Sequence, residues 1–169
     1  MPGKAKALPL AVLFVGSGLL TYQIYYWVAK IGNDDTQLFY QLLTGLPFGI
    51  ACSLRFMRPS KWAIPAVVLD CVTWVVAYRV TLAASGANVF LGAELGGFLG
   101  GLGVTAATGL GCRSLYTFRT LGVGALLGGL AALPFSLVLN GSEHEAMILA
   151  FAFPLWQVIV GIWINAAQR

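Results

Sequence analysis

Long apolar segments dominate this chain and limit what it can fold into. A helix needs about 20 apolar residues to cross the hydrocarbon core of a bilayer, and six segments have that length. They cover residues 8–29, 37–56, 61–83, 88–111, 118–139 and 146–166. Most of the charged residues lie outside these segments, in the short connections and at the two ends of the chain. The pattern predicts an all-α membrane protein, with a single transmembrane domain over residues 1–169 that forms a six-helix bundle.

Charged residues are too few for a soluble fold. Only 9% of the 169 residues are charged and 59% are hydrophobic, and the mean hydropathy is +0.83. A soluble domain has about 25% charged residues, because it needs a polar surface in water. The net charge of +4 forms no basic stripe with interleaved aromatic residues, so nucleic acid is not an expected partner. The lipid bilayer is the expected partner.

The distribution of basic residues predicts the orientation, because cytoplasmic loops of membrane proteins are enriched in Lys and Arg. One side of the predicted bundle has Lys4, Lys6, Arg55, Arg58, Lys61, Arg113, Arg119 and Arg169. The opposite side has Asp34, Asp35, Glu143 and Glu145, with Lys30 as its main basic residue. We therefore predict a multi-pass protein with both termini in the cytoplasm. The short loops favour a bacterial inner (plasma) membrane.

Helices 4 and 5 have glycines at four-residue spacing. Such spacing puts small residues on one helix face, and in lipid these faces allow two backbones to approach closely. The repeated positions are Gly92, Gly96, Gly100, Gly124 and Gly128. We predict that helices 4 and 5 cross closely, with helix 4 central. A seam between copies of the chain, or a wall along a substrate path, is an alternative use of these faces.

Asp70 is the polar residue that most demands an explanation, because an ionisable side chain inside a bilayer is costly and often functional. It lies about nine residues into helix 3, which is about 13 Å at 1.5 Å per residue. Thr73 and Trp74 follow one turn later on the same face, and Gln157 lies at a similar depth in helix 6. These four residues form the predicted intramembrane polar site, with Gln157 as a candidate partner for Asp70. Desolvation favours the neutral carboxyl. A protonated packing residue and a proton- or cation-responsive site both stay open.

Arg79 and Glu94 lie near the same end of helices 3 and 4, which a short connection joins. A salt bridge is the simplest way to place both charges at the membrane boundary. We therefore predict a structural ion pair between Arg79 and Glu94. This pairing leaves Asp70 without a charged partner.

A short sequence match suggests an internal repeat. Leu-Pro-Phe occurs at residues 46–48 and again at 133–135, and the same offset places Asp70 on Gln157. A repeat of three helices would be inverted in the membrane, as in many transporters. In so apolar a sequence short matches also arise by chance, so a 3+3 inverted repeat is a hypothesis.

Signatures of enzymes and cofactors are absent from the sequence. It has no Gly-x-Ser-x-Gly nucleophile motif and no His-Glu-x-x-His zinc motif. The acidic and histidine residues at 143–145 are consecutive, and consecutive side chains converge poorly on a metal. We predict no catalytic residues, no metal and no cofactor, and an enzyme is the least favoured class.

Two functional classes remain. The first is a small membrane transporter or channel, or the substrate-binding membrane subunit of a transporter, which the polar site around Asp70 favours. The second is a non-catalytic interaction subunit, such as an anchor, an assembly factor or an oligomeric membrane effector. The glycine faces favour this second class, with a homo-oligomer or other membrane subunits as partners. The sequence names no substrate.

Overall fold

The structure is a computed structural model, and it describes residues 9–31, 37–57 and 61–168. This part of the chain forms six long α-helices and one short 3-10 helix between α4 and α5, at Arg113–Leu115. The long helices are α1 Leu10–Ile31, α2 Gln37–Phe56, α3 Ala63–Ser85, α4 Val89–Gly109, α5 Phe118–Leu139 and α6 Glu145–Ala167. Their bounds differ from the predicted ranges by two residues or fewer. The all-helical fold class with six helices is confirmed.

Side-chain caps and a glycine set the bounds of the central helices. The side chain of Asn88 accepts hydrogen bonds from the backbone N–H groups of Phe90 and Leu91, which starts α4. Thr117 accepts from the N–H of Thr120 at the start of α5. Such caps satisfy N–H groups that have no partner inside the helix. Just after α5, Gly141 has a positive φ of 77°, a conformation that glycine adopts without strain.

The helices form a ring in which each packs against the next along the chain, and α6 closes the ring against α1. Successive helices run in opposite directions. In α1 and α6, for example, Phe14 lies against Gly161 near one end, and Tyr25 lies against Phe153 towards the other. The start of α1 and the end of α6 therefore lie at the same end of the bundle.

Glycines of α4 let it pack closely against its neighbours on both sides. A Cβ atom at Gly92 or Gly96 would collide with Ser85 or Thr81 of α3. A Cβ atom at Gly97 or Gly101 would collide with backbone carbonyls of α5. Helix α4 thus approaches α3 and α5 at distances that larger residues would not allow.

Five of the six helices are long and apolar enough to cross a membrane: α1, α3, α4, α5 and α6. Helix α2 is long enough but less apolar, because Gln37, Gln41 and Arg55 lower its mean hydropathy. These five helices support a multi-pass helical membrane protein. A sixth crossing by α2 stays a prediction, as does the 3+3 inverted repeat.

Most charged residues of the described chain lie towards one end of the bundle or the other, and the basic Arg79, in the same half as Glu94, is an exception to the separation by sign. Arg55, Lys61, Arg113 and Arg119 lie at the end that contains the start of α1, which we call the basic end. Glu143 and Glu145 lie at the opposite end, which we call the acidic end. The remaining residues used to predict the orientation lie outside the part whose side chains the structure describes: Lys4, Lys6, Lys30, Asp34, Asp35, Arg58 and Arg169.

Candidate functional site

Asp70 is buried between α3 and α2, with 3% of its surface exposed. A Cβ atom at Gly49 of α2 would lie 3.2 Å from the Asp70 Cβ and Oδ2 atoms, so this glycine makes room for the carboxyl group. Asp70 Oδ1 has no hydrogen-bond partner among the described residues. The structure thus places an uncompensated carboxyl group against the neighbouring helix.

Gln157 lies elsewhere and has other partners. Its Nε2 donates to Thr21 Oγ1 at 2.8 Å, and its Oε1 accepts from the Ser17 hydroxyl. Both partners belong to α1, and Gln157 is 1% exposed. Gln157 therefore joins α6 to α1 and does not hydrogen-bond to Asp70. The reason is rotational, because Gln157 lies on the face of α6 that packs against α1.

Thr73 and Trp74 point to two different neighbours of α3. The Thr73 side chain fills the space beside Gly103 of α4. The Trp74 Cβ lies against Gly45 of α2, and its ring lies 5.4 Å from the ring of Phe153. The four residues of the predicted polar site thus do not meet at one place.

The predicted ion pair between Arg79 and Glu94 does not form in the described part of the chain. Arg79 Nε donates instead to Gln41 Oε1 of α2 at 3.2 Å, and Glu94 is exposed. The contact between α3 and α4 runs through Ala77 and Thr81. Arg79 is two residues from each, so at 3.6 residues per turn it points about 160° away from α4. Similar depth was not enough to bring the two charges together.

A cavity of about 100 Å³ lies among α1, α3, α4, α5 and α6, in the half of the bundle towards the acidic end. Its deepest residues, Trp74, Gly100 and Trp156, are each about eleven residues from that end of their helices, or about 16 Å at 1.5 Å per residue. Val138 and Leu139 line it near the end of α5. The cavity thus reaches from the acidic end to the middle of the bundle.

The cavity wall is almost entirely apolar. One side is the glycine face of α4, and the other side carries aromatic rings. These rings belong to Tyr25, Trp74, Tyr78, Phe135, Phe153 and Trp156. The polar atom of Trp156 is already used, because its Nε1 donates to the carbonyl of Gly128 at 2.9 Å. The wall therefore suits an apolar or aromatic group and offers few hydrogen bonds.

Sequence reasoning missed several residues that shape these sites. Gly45 and Gly49 are four residues apart in α2, a spacing that was visible in the sequence, and they admit Trp74 and Asp70 of α3. Gly18 of α1 lies against the backbone of Pro154. No sequence signal distinguished Ser17 or Thr21 as partners of Gln157, because a hydroxyl in an apolar helix has several uses.

Among the described residues, no three His, Cys, Asp or Glu side chains converge as a metal site requires. Cys52, Cys71 and Cys112 are free thiols.

No protein-family model, no curated protein and no solved structure matches this chain.

Proposed function

We propose that this chain is a multi-pass membrane protein that captures a small apolar molecule in its cavity, as a small transporter or as the substrate-binding subunit of one. The observation that carries the proposal is the apolar cavity, which reaches from the acidic end to the middle of the bundle. For comparison, a dry apolar cavity of about 150 Å³ binds benzene. The cavity here is smaller but is not closed towards the acidic end, so its volume and wall favour a short alkyl group, or a single ring that extends into the open end.

The packing between the cavity and the basic end supports a binding site that is open to one side only. Trp156 stacks edge-on against Phe48 at 5.5 Å, and Phe48 does the same against Phe14 at 5.4 Å. These rings belong to the main hydrophobic core, which also contains Val160 and Ile164. A filled core between the cavity and the basic end favours capture from one side over a channel.

The orientation is part of the proposal. The basic end faces the cytoplasm by the positive-inside rule, which leaves the cavity on the outer side of the membrane. The ligand then enters from outside the cell or from the outer leaflet. In this orientation both termini are cytoplasmic, and a bacterial inner membrane is the location we propose.

Binding can be tested with iodobenzene, because the heavy atom quenches tryptophan fluorescence on contact and Trp74 and Trp156 line the cavity. In lipid nanodiscs we expect a saturable quenching component above the linear background from probe dissolved in lipid. Val138→Phe narrows the cavity and should remove the saturable component. Leu130→Phe is the matched control, since Leu130 lies on the same helix and is 63% exposed. Equal quenching in the wild type and both variants would refute binding in the cavity.

A second candidate function is the interaction subunit, which one observation favours. An apolar groove on the outside of the bundle runs between α5 and α6 towards the acidic end. It is lined by Phe90, Leu133, Pro134, Ser136, Leu137, Met147, Ile148 and Phe151. The glycines of α4 favour this class less than the sequence suggested, because they pack against helices of the same chain.

Native mass spectrometry of protein extracted gently from its own membrane separates the two candidates. A monomer or small oligomer with a bound small molecule supports capture, and loss of that molecule in Val138→Phe places it in the cavity. Extraction in fixed stoichiometry with another protein, and without a small molecule, supports the interaction subunit.

A further inference from the structure

A polar location lies between the cavity and the basic end, where α2, α3 and α4 meet. Asp70 is about seven residues from the start of α3, and Thr108 is the second-last residue of α4. Cys52 of α2 lies beside Thr108 and within electrostatic range of Asp70. None of the three lines the cavity. We call this location the Asp70 junction.

Asp70 Oδ1 at the Asp70 junction lacks a hydrogen-bond partner among the described residues, whereas the Thr108 hydroxyl lies within hydrogen-bonding reach of the Cys52 thiol. Asp70 and Thr108 are 3% and 1% exposed. Other buried hydroxyls of the bundle are bonded, as Thr105 is to the carbonyl of Gly101 at 2.7 Å. Because buried polar groups are nearly always satisfied, the unsatisfied carboxyl oxygen of Asp70 points to a ligand at this junction.

The chemistry of the junction favours a proton as that ligand. A buried carboxylate without a cation is strongly disfavoured, and no described Lys or Arg side chain pairs with Asp70. A hard metal cation takes about six or more oxygen ligands, whereas the junction offers one carboxyl, one hydroxyl and the soft thiol of Cys52. The titratable groups near Asp70 are Cys52 of α2 and Cys71 of α3, and α4 contributes Thr108, which does not titrate.

The position of Asp70 on α3 links the junction to the cavity. Asp70 is one helical turn from Trp74, which forms part of the cavity floor. Helix α2 packs closely against the face of α3 that carries these residues. A Cβ atom at Gly45 of α2 would lie 3.0 Å from the Trp74 Cβ. An ionised Asp70 would need solvation that this close contact denies, so proton release requires α2 and α3 to separate. That movement would displace Trp74.

We propose that Asp70 binds a proton at the α2–α3–α4 junction and that its release is coupled through Trp74 to occupancy of the cavity. The proton site does not depend on the proposed capture function. The coupling rests on the capture function, because it requires a ligand in the cavity.

Infrared spectroscopy tests the proton site directly. At neutral pH the wild type should show the carbonyl stretch of a protonated carboxylic acid, with the expected shift in heavy water. Asp70→Asn, which has the same shape and no proton to release, should lack this band. Glu94→Gln, which removes an exposed carboxyl, should keep it. Absence of the band in the wild type, or its persistence in Asp70→Asn, overturns the proton site. A band that appears only when Na⁺ is removed identifies a cation site and also overturns it.

The coupling is tested by iodobenzene affinity as a function of pH. Across the pH range in which the wild-type band disappears, the affinity should change by about fivefold or more, as is usual for coupled sites. The affinity of Asp70→Asn should be constant. Binding that ignores pH in the wild type overturns the coupling and leaves the capture function intact. No saturable binding at any pH refutes the capture function and the coupling with it, and the infrared result for the proton site still stands.

Discussion

The two sides of the cavity are held together in different ways. On one side α4 and α5 meet along a glycine seam, formed by Gly97, Gly101, Gly124 and Gly128, where the two backbones come into direct contact. On the other side α1 and α6 meet along a polar seam, in which Gln157 of α6 hydrogen-bonds to Ser17 and Thr21 of α1. In lipid no hydrophobic force draws helices together, so close packing and hydrogen bonds are the means available.

The difference explains the shape of the cavity. Glycines keep the α4 wall free of large side chains, whereas α6 fills the opposite wall with the rings of Phe153 and Trp156. The seams are joined where Trp156 donates to the carbonyl of Gly128. One seam supplies the space and the other supplies the contact surface for a ligand.

The largest effect is expected in the glycine seam. In Gly128→Ala the new methyl group would lie 2.8 Å from the Gly101 Cα and closer still to the carbonyl of Gly97. We expect α4 and α5 to separate, with a loss of about 1–3 kcal/mol in the free energy of unfolding. Gly122→Ala on the same helix meets nothing within 4 Å and should be neutral or slightly stabilising. Unfolding in mixed micelles measures both. Equal stability of the two variants would contradict the seam.

A smaller effect is expected in the polar seam. Gln157→Leu keeps the approximate volume and removes the hydrogen bonds to Ser17 and Thr21. Since such bonds in membranes average about 0.6 kcal/mol each, we expect a loss of about 1 kcal/mol. Gln23→Leu, at an exposed position of α1, should cost nothing. The same unfolding assay applies, and a loss as large as that of Gly128→Ala would abolish the distinction between the seams.

The smallest effect concerns the charges near the acidic end. A double-mutant cycle of Arg79→Ala with Glu94→Ala should give a coupling energy near zero, because the two side chains point to different helices. A cycle of Arg79→Ala with Gln41→Ala should give at most about 0.5 kcal/mol, as is usual for an exposed pair. A larger coupling between Arg79 and Glu94 would restore the predicted ion pair and would require α3 to rotate.

Hydropathy and the short polar connections together located the helices to within two residues, because bilayer thickness and the cost of an unpaired backbone fix the length of a membrane helix. Contacts between polar residues were harder to predict. Depth can be counted along a helix, and Asp70 and Gln157 lie seven and ten residues from the ends of α3 and α6 that belong to the basic end. The direction in which each side chain points depends on the rotation of every helix about its axis. That rotation is set by the packing of all six helices together.

The sequence by itself therefore determined the membrane class, the six helices and the segregation of charge along the chain. Each of these follows from local composition measured against the thickness and polarity of a bilayer. The tertiary structure decided which partners the polar residues take, as with Arg79 and Gln41, and it opened a cavity beside the α4 glycines. It also left Asp70 Oδ1 without a hydrogen-bond partner in the described part of the chain. These features arise from close contacts between helices distant in sequence, where a rotation of one helix by a single residue, about 100°, exchanges one set of neighbours for another.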